Sequence, residues 1–161
     1  MAGGPIFPCS AFPNTAGNTF PRFHSGGTNS RRIEGLGVLA SIGSDSVWHL
    51  VFAMPPSALP SGTCKLRLLA LANATSGSAK VNPKWASVAA GENPDTATLN
   101  AEGTSTLTWA AGDNDDFKEL KITLDADTPV AGELIVMDLT FETASWTLAV
   151  DSSWLPSVIW E

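Results

Sequence analysis

Ser46-Val47-Trp48-His49-Leu50-Val51-Phe52-Ala53 places Trp48, Leu50 and Phe52 on one face and Val47, His49 and Val51 on the other. Successive side chains of an extended chain point to opposite faces, so this period of two marks a strand buried on at least one side. The run ends at Pro55-Pro56-Ser57-Ala58-Leu59-Pro60-Ser61-Gly62, where consecutive proline rings remove backbone donors and the glycine permits a reversal. A second alternating run follows from Cys64 to Leu71, with Lys65, Arg67 and Leu69 set against Leu66, Leu68 and Ala70.

Toward the C-terminus the same pattern predicts strands at Lys80 to Ala89, Ser105 to Ala110, Phe117 to Leu124, Glu133 to Phe141, Ser145 to Val150 and Pro156 to Trp160. In the clearest of them Leu120, Ile122 and Leu124 form one face and Lys121 and Thr123 the other. Turn-rich stretches such as Ala74-Thr75-Ser76-Gly77 and Gly112-Asp113-Asn114-Asp115-Asp116 separate them, and helical spacing is hard to find. With Arg31 to Ala40 added, eight or nine strands recur every ten to fifteen residues. That suits an all-β, antiparallel two-sheet sandwich or a small barrel, not a parallel sheet with crossover helices. A jelly roll of about eight strands accommodates the long loops and needs no inter-sheet disulfide; seven strands would suit an immunoglobulin-like sandwich.

Residues 1–31 read differently. Phe7, Phe12, Phe20 and Phe23 stand among Pro5, Pro8, Pro13 and Pro21 and paired glycines. Neither a helix nor a central strand runs through that spacing, yet the rings need burial. The expectation is an extended N-terminal arm whose rings dock in grooves of the chain's own body or of a neighbouring copy, ahead of a sandwich domain over residues 32–161.

At 161 residues the chain fits one domain with a single core. No apolar run approaches the roughly 20 residues needed to cross a bilayer, and Met1 to Pro5 lacks the basic start and apolar stretch of a signal peptide, so neither a membrane partner nor export is expected. A net charge of −7 argues against nucleic acid. Residues 1–91 carry seven Lys or Arg against two acids, and residues 92–161 carry two Lys against fourteen acids. Strands from both halves interleaving would mix these charges. Alternatively, Arg22, Arg31 and Arg32 at the arm's end would meet an acidic flank of another copy.

The chemistry-bearing residues are sparse. Cys9 and Cys64 read as independent thiols. His24 and His49 lack the partners a zinc site or nucleophile and base pair needs, and His49 reads as a surface or interface residue of its strand. No Gly-x-Ser-x-Gly turn occurs. Asp113, Asp115 and Asp116, and Asp125 with Asp127, lie on loops without the glycine and distal glutamate of a calcium loop, so they read as solvated turn acids. No catalytic residue, metal or cofactor is therefore expected. Six tryptophans and no tyrosine leave two readings. Either the indoles are buried, or at least two coplanar, solvent-facing rings stack on sugars as in a carbohydrate-binding module.

Val47 to Pro55, then Ser61-Gly62-Thr63-Cys64-Lys65-Leu66-Arg67-Leu68, then Ala72-Asn73-Ala74-Thr75-Ser76-Gly77-Ser78-Ala79-Lys80-Val81 resemble a group of small jelly-roll virion proteins of tailed bacteriophages. Thr128-Pro129-Val130-Ala131-Gly132-Glu133-Leu134-Ile135-Val136 is similar to their turn and penultimate strands. The resemblance implies a non-enzymatic virion component, foremost a capsid decoration (cement) protein made in the bacterial host cytoplasm and seated on the capsid surface. Its partners would be the major capsid protein and sister copies of itself, in a homo-oligomer read as a trimer. The contacts would be carried by Phe7, Phe12, Phe20, Phe23, Arg22, Arg31 and Arg32. The alternative is a carbohydrate-binding sandwich module of a phage fibre or host-attachment protein.

Overall fold

The computed structural model describes residues 4–6, 10–13, 19–24, 33–38, 45–114, 116–150 and 152–161, with the backbone path alone for the three segments between 10 and 38. Eleven strands run in chain order through the described residues. They are β1 (Ser10–Pro13), β2 (Thr19–His24), β3 (Ile33–Val38), β4 (Ser46–Ala53), β5 (Cys64–Ala72), β6 (Gly77–Val88), β7 (Asn100–Ala101), β8 (Ser105–Trp109), β9 (Phe117–Thr123), β10 (Leu134–Phe141) and β11 (Ser152–Trp160). Short 3₁₀ turns occupy Pro94–Thr96 and Thr143–Ser145.

One sheet has the order β2-β3-β11-β5-β9, and the other has β1-β4-β10-β6 with β8 and β7 along the far edge of β6. All pairings among these strands are antiparallel. Counting β3, β4, β5, β6, β8, β9, β10 and β11 as strands one to eight, the sheets read 1-8-3-6 and 2-7-4-5. This is the double Greek-key winding of a jelly roll.

β1 and β2, the strands described in the N-terminal segment, add one strand to each sheet. β1 pairs along β4, with Phe12 at the register position of His49, and β2 pairs along β3, with Phe20, Arg22 and Phe23 opposite Gly37, Gly35 and Glu34. Both are edge strands among those described, a place in a sheet where a proline whose nitrogen faces outward costs no ladder bond. Phe7, Cys9, Arg31 and Arg32 lie outside the described residues.

Interior prolines follow the same rule. Pro156 lies in β11 between two partners on its β3 side: β3 pairs only with Ser152–Trp154, and Ile6 bridges Val158 through two 2.7 Å bonds. Pro83 lies in β6 where the neighbour changes from β8 to β7.

Leu50, Phe52, Leu66, Leu68, Ile135, Met137 and Leu139 fill the space between the sheets and are fully buried. Aromatic rings lock the two sheets together. Trp48 meets Phe141 edge-on at 4.6 Å, Phe141 meets Trp154 at 5.4 Å, and Trp154 meets Trp109 at 6.2 Å. Each such pair adds about 0.5–1.5 kcal/mol beyond area burial.

Ser145 to Val150, expected as a strand, is not one. It links β10 in one sheet to β11 in the other, and Trp146, Leu148 and Val150 pack against the core with a strand-like alternation. Its backbone, however, makes no ladder: Thr147 and Leu148 both donate to the carbonyl of Ser78. The approach is close enough that a Cβ on Gly77, at φ +109°, would sit 2.8 Å from the Thr147 carbonyl oxygen.

Candidate functional site

On the outer face of β4, β10 and β6 the register brings three ionisable residues into one row. Asp138 stands directly between His49 on β4 and Lys84 on β6. His49 Nδ1 donates to Asp138 Oδ1 at 2.5 Å, with side-chain exposures of 44% and 32% that leave both within reach of a ligand. Because an ionised carboxylate only accepts, this bond fixes the proton on Nδ1 and leaves Nε2 as the ring's second polar atom. Lys84 is exposed and has no ion-pair partner among the described residues.

Beside that row lie Val51 and Val136, half-buried, also facing outward. The segment after β6 rises over the sheet and forms a wall of Pro94, Asp95, Ala97 and Leu99. Sequence chemistry makes this wall firm. Asn93 Oδ1 accepts from the Asp95 N–H at 3.0 Å, Pro94 begins the 3₁₀ turn, and the Asn93 carbonyl accepts from both the N–H and the hydroxyl of Thr96. Floor and wall enclose a groove of about 690 Å³, within the range of roughly 300–1,000 Å³ found for small-molecule sites. On the wall's other flank a 460 Å³ cleft is bordered by Ser87, Glu92, Thr98 and Asp127. The covering segment explains why Ala86 and Val88 are buried although they face away from the core.

The groove brings two carboxylates, Asp95 and Asp138, together with His49 and Lys84. His49 with Asp138 supplies two members of a hydrolytic triad, but its described lining holds no serine, threonine or cysteine to act as nucleophile. Cys64 is buried at the start of β5, and burial, followed by the charge of Glu102, pushes its thiol up to about 12, which keeps it protonated and inert.

Other sequence-level candidates resolve as follows. Trp48, Trp85, Trp109, Trp154 and Trp160 are buried and Trp146 is partly buried against the core, so the burial reading holds and the six form no solvent-facing pair. Asp113 accepts from Lys118 and from the Ala110 N–H, contacts that hold its carboxyl below the usual range, and Asp127 accepts from Ser87 and Thr128. These are turn acids using their oxygens locally; Asp115 lies outside the described residues, and among those described no cluster of metal-ligating side chains forms. Of the expected contact residues that are described, Phe12 alone neighbours the groove by register; Phe20, Arg22 and Phe23 belong to the other sheet. The alternation of β4 put His49 on the surface, but Asp138 and Lys84 carried no local signal, because their meeting depends on register between strands far apart in the chain.

No protein-family model matches the chain, and no curated protein matches it. Among solved structures, the chain is similar to the family 11 carbohydrate-binding module from Clostridium thermocellum in complex with a beta-1,3-1,4-mixed-linked tetrasaccharide, with TM-score 0.48 and 9% identity over 98% of this chain and 96% of that one. It is also similar to the family 11 module of the cellulosomal cellulase Lic26A-Cel5E of Clostridium thermocellum, with TM-score 0.47 and 10% identity over 93% and 85% of the two chains. A third likeness is to TmCBM61 in complex with beta-1,4-galactotriose, with TM-score 0.38 and 10% identity over 94% and 88%.

Proposed function

We infer that this chain is a non-catalytic binding module and that the groove over β4, β10 and β6 takes a stretch of neutral oligosaccharide. The carrying observation is the row His49–Asp138–Lys84 laid across an apolar floor. A sugar presents hydroxyls that both donate and accept at its rim and C–H groups on its faces. The carboxylate of Asp138 accepts, the ammonium of Lys84 donates, and His49 offers Nε2, while Val51, Val136 and Leu99 meet the C–H faces. With no aromatic platform among the described lining residues, recognition rests on hydrogen bonds, and one lost partner is costly because it strands the other in a partly dry site.

The capsid-decoration reading assigns its contacts to the N-terminal segment rather than to this groove, and nothing in the groove's geometry favours it. Calorimetric titration with a panel of soluble neutral oligosaccharides separates the two. Saturable binding is expected, and Lys84→Ala and Asp138→Ala each weaken it about tenfold, equivalent to about 1.4 kcal/mol. Binding to no member of the panel, or binding indifferent to both substitutions, would overturn the assignment.

A further inference from the structure

β9 is a seven-residue edge strand, Phe117-Lys118-Glu119-Leu120-Lys121-Ile122-Thr123, paired with β5 on one side and with no strand on the other among the described residues. The Leu124 N–H donates to the Cys64 carbonyl at 3.0 Å, which fixes which backbone groups look outward. By alternation from that bond, Ile122, Leu120 and Lys118 turn their N–H and C=O toward β5, while Phe117, Glu119, Lys121 and Thr123 turn theirs to the open edge. Natural edges are usually short, bulged, covered or charged, and this one is seven residues long, regular in register and charged with both signs at Lys118, Glu119 and Lys121. Phe117, moreover, is 60% exposed, the most open large apolar residue described.

We propose that this edge pairs with the same edge of a second copy, forming a two-fold dimer centred on Leu120. Antiparallel pairing about that centre sets Glu119 opposite Lys121 of the second copy, Lys121 opposite its Glu119, and Phe117 opposite its Thr123. Every residue in those pairs already points its N–H and C=O outward, so the register satisfies the backbone with about eight hydrogen bonds. It also places opposite charges directly across the ladder, in addition to the bonds that Glu119 makes to Arg67 and Lys121 to Glu161 within each chain, whereas a register centred on Glu119 or Lys121 would oppose like charges. The strand is thus self-complementary in backbone direction and in charge, which commits the occupant to this chain itself. One strand's edge buries less than the roughly 1,200 Å² of a stable complex, so the dimer depends on concentration.

Sedimentation of the full chain across a concentration series tests this. Mass rising toward twice that of the chain is expected. Lys121→Pro removes an outward N–H, a change an edge strand tolerates, and leaves a folded monomer. Glu119→Lys and Lys121→Glu, each alone, weaken association about tenfold, and the double swap restores it because the pairs are complementary again. Thermal unfolding of each variant confirms that the monomer is intact. A monomer at every concentration, association undiminished by Lys121→Pro, or a folded double swap that stays monomeric would overturn the proposal.

Discussion

On the outer face of β5, β9 and β11 nearly every described charge is matched within the chain: Lys65 and Lys121 both reach Glu161, and Arg67 reaches Glu119. On the outer face of β4, β10 and β6, His49 takes Asp138, while Lys84 and Asp95 have no ion-pair partner among the described residues and stand beside a groove. The same fold and the same alternation thus produce one face whose polar groups are used internally and one whose polar groups are available. Exposed pairs contribute little to stability, so the difference between the faces is one of availability for binding.

The largest effect expected is one that removes the contrast altogether. Phe141 is fully buried and touches Trp48, Trp146 and Trp154, so both sheets depend on it. Phe141→Ala should cost about 3–5 kcal/mol in chemical denaturation and weaken both faces together. A loss under about 1 kcal/mol would show that the rings do not join the sheets.

Substitutions on each face sharpen the comparison. Asp138→Ala and Lys84→Ala should reduce saccharide affinity about tenfold while leaving the unfolding midpoint nearly unchanged, whereas Arg67→Ala should leave affinity intact. Equal loss of affinity from Arg67→Ala would erase the distinction between the faces.

The smallest effect is on pH dependence. Hydrogen bonds from Lys121 first, then Lys65, hold the Glu161 carboxyl below its ordinary 4.5, and the bond to Glu161 holds the Lys121 ammonium above its ordinary 10.5. A lowered carboxyl stabilises the fold above its ordinary value and loses that contribution as pH falls below it. A raised ammonium stabilises below its ordinary value and loses that contribution as pH rises above it. The unfolding midpoint should therefore be flat between these limits and sag slightly outside them, and Glu161→Gln should reduce both sags. An unchanged profile in that variant would mean the pairing has no thermodynamic weight.

Much of the fold was legible because alternation is local. β4 runs over the residues its pattern marked, and β5, β9 and β10 differ from their expected spans by a single residue. The failure at Ser145 to Val150 has the same origin, since alternating burial of Trp146 and Leu148 looks identical whether the backbone bonds to a ladder or to a lone carbonyl. The groove was harder to see. His49 and Asp138 are 89 residues apart, and only the register of β4 on β10 brings them together. Asn93-Pro94-Asp95 has the local composition of a turn, but its folding back over β6 to wall a groove depends on where the sheet lies beneath it.

The most direct measurement is a nuclear magnetic resonance titration of the full chain with linear neutral oligosaccharides, following backbone amide shifts. Saturable shifts concentrated at His49, Lys84, Asp138 and the wall from Asp95 to Leu99 are expected, with the Lys65, Arg67 and Lys121 face silent. Shifts that never appear with any sugar, or that gather on the Lys65, Arg67 and Lys121 face, would contradict the assignment of the groove as the binding site.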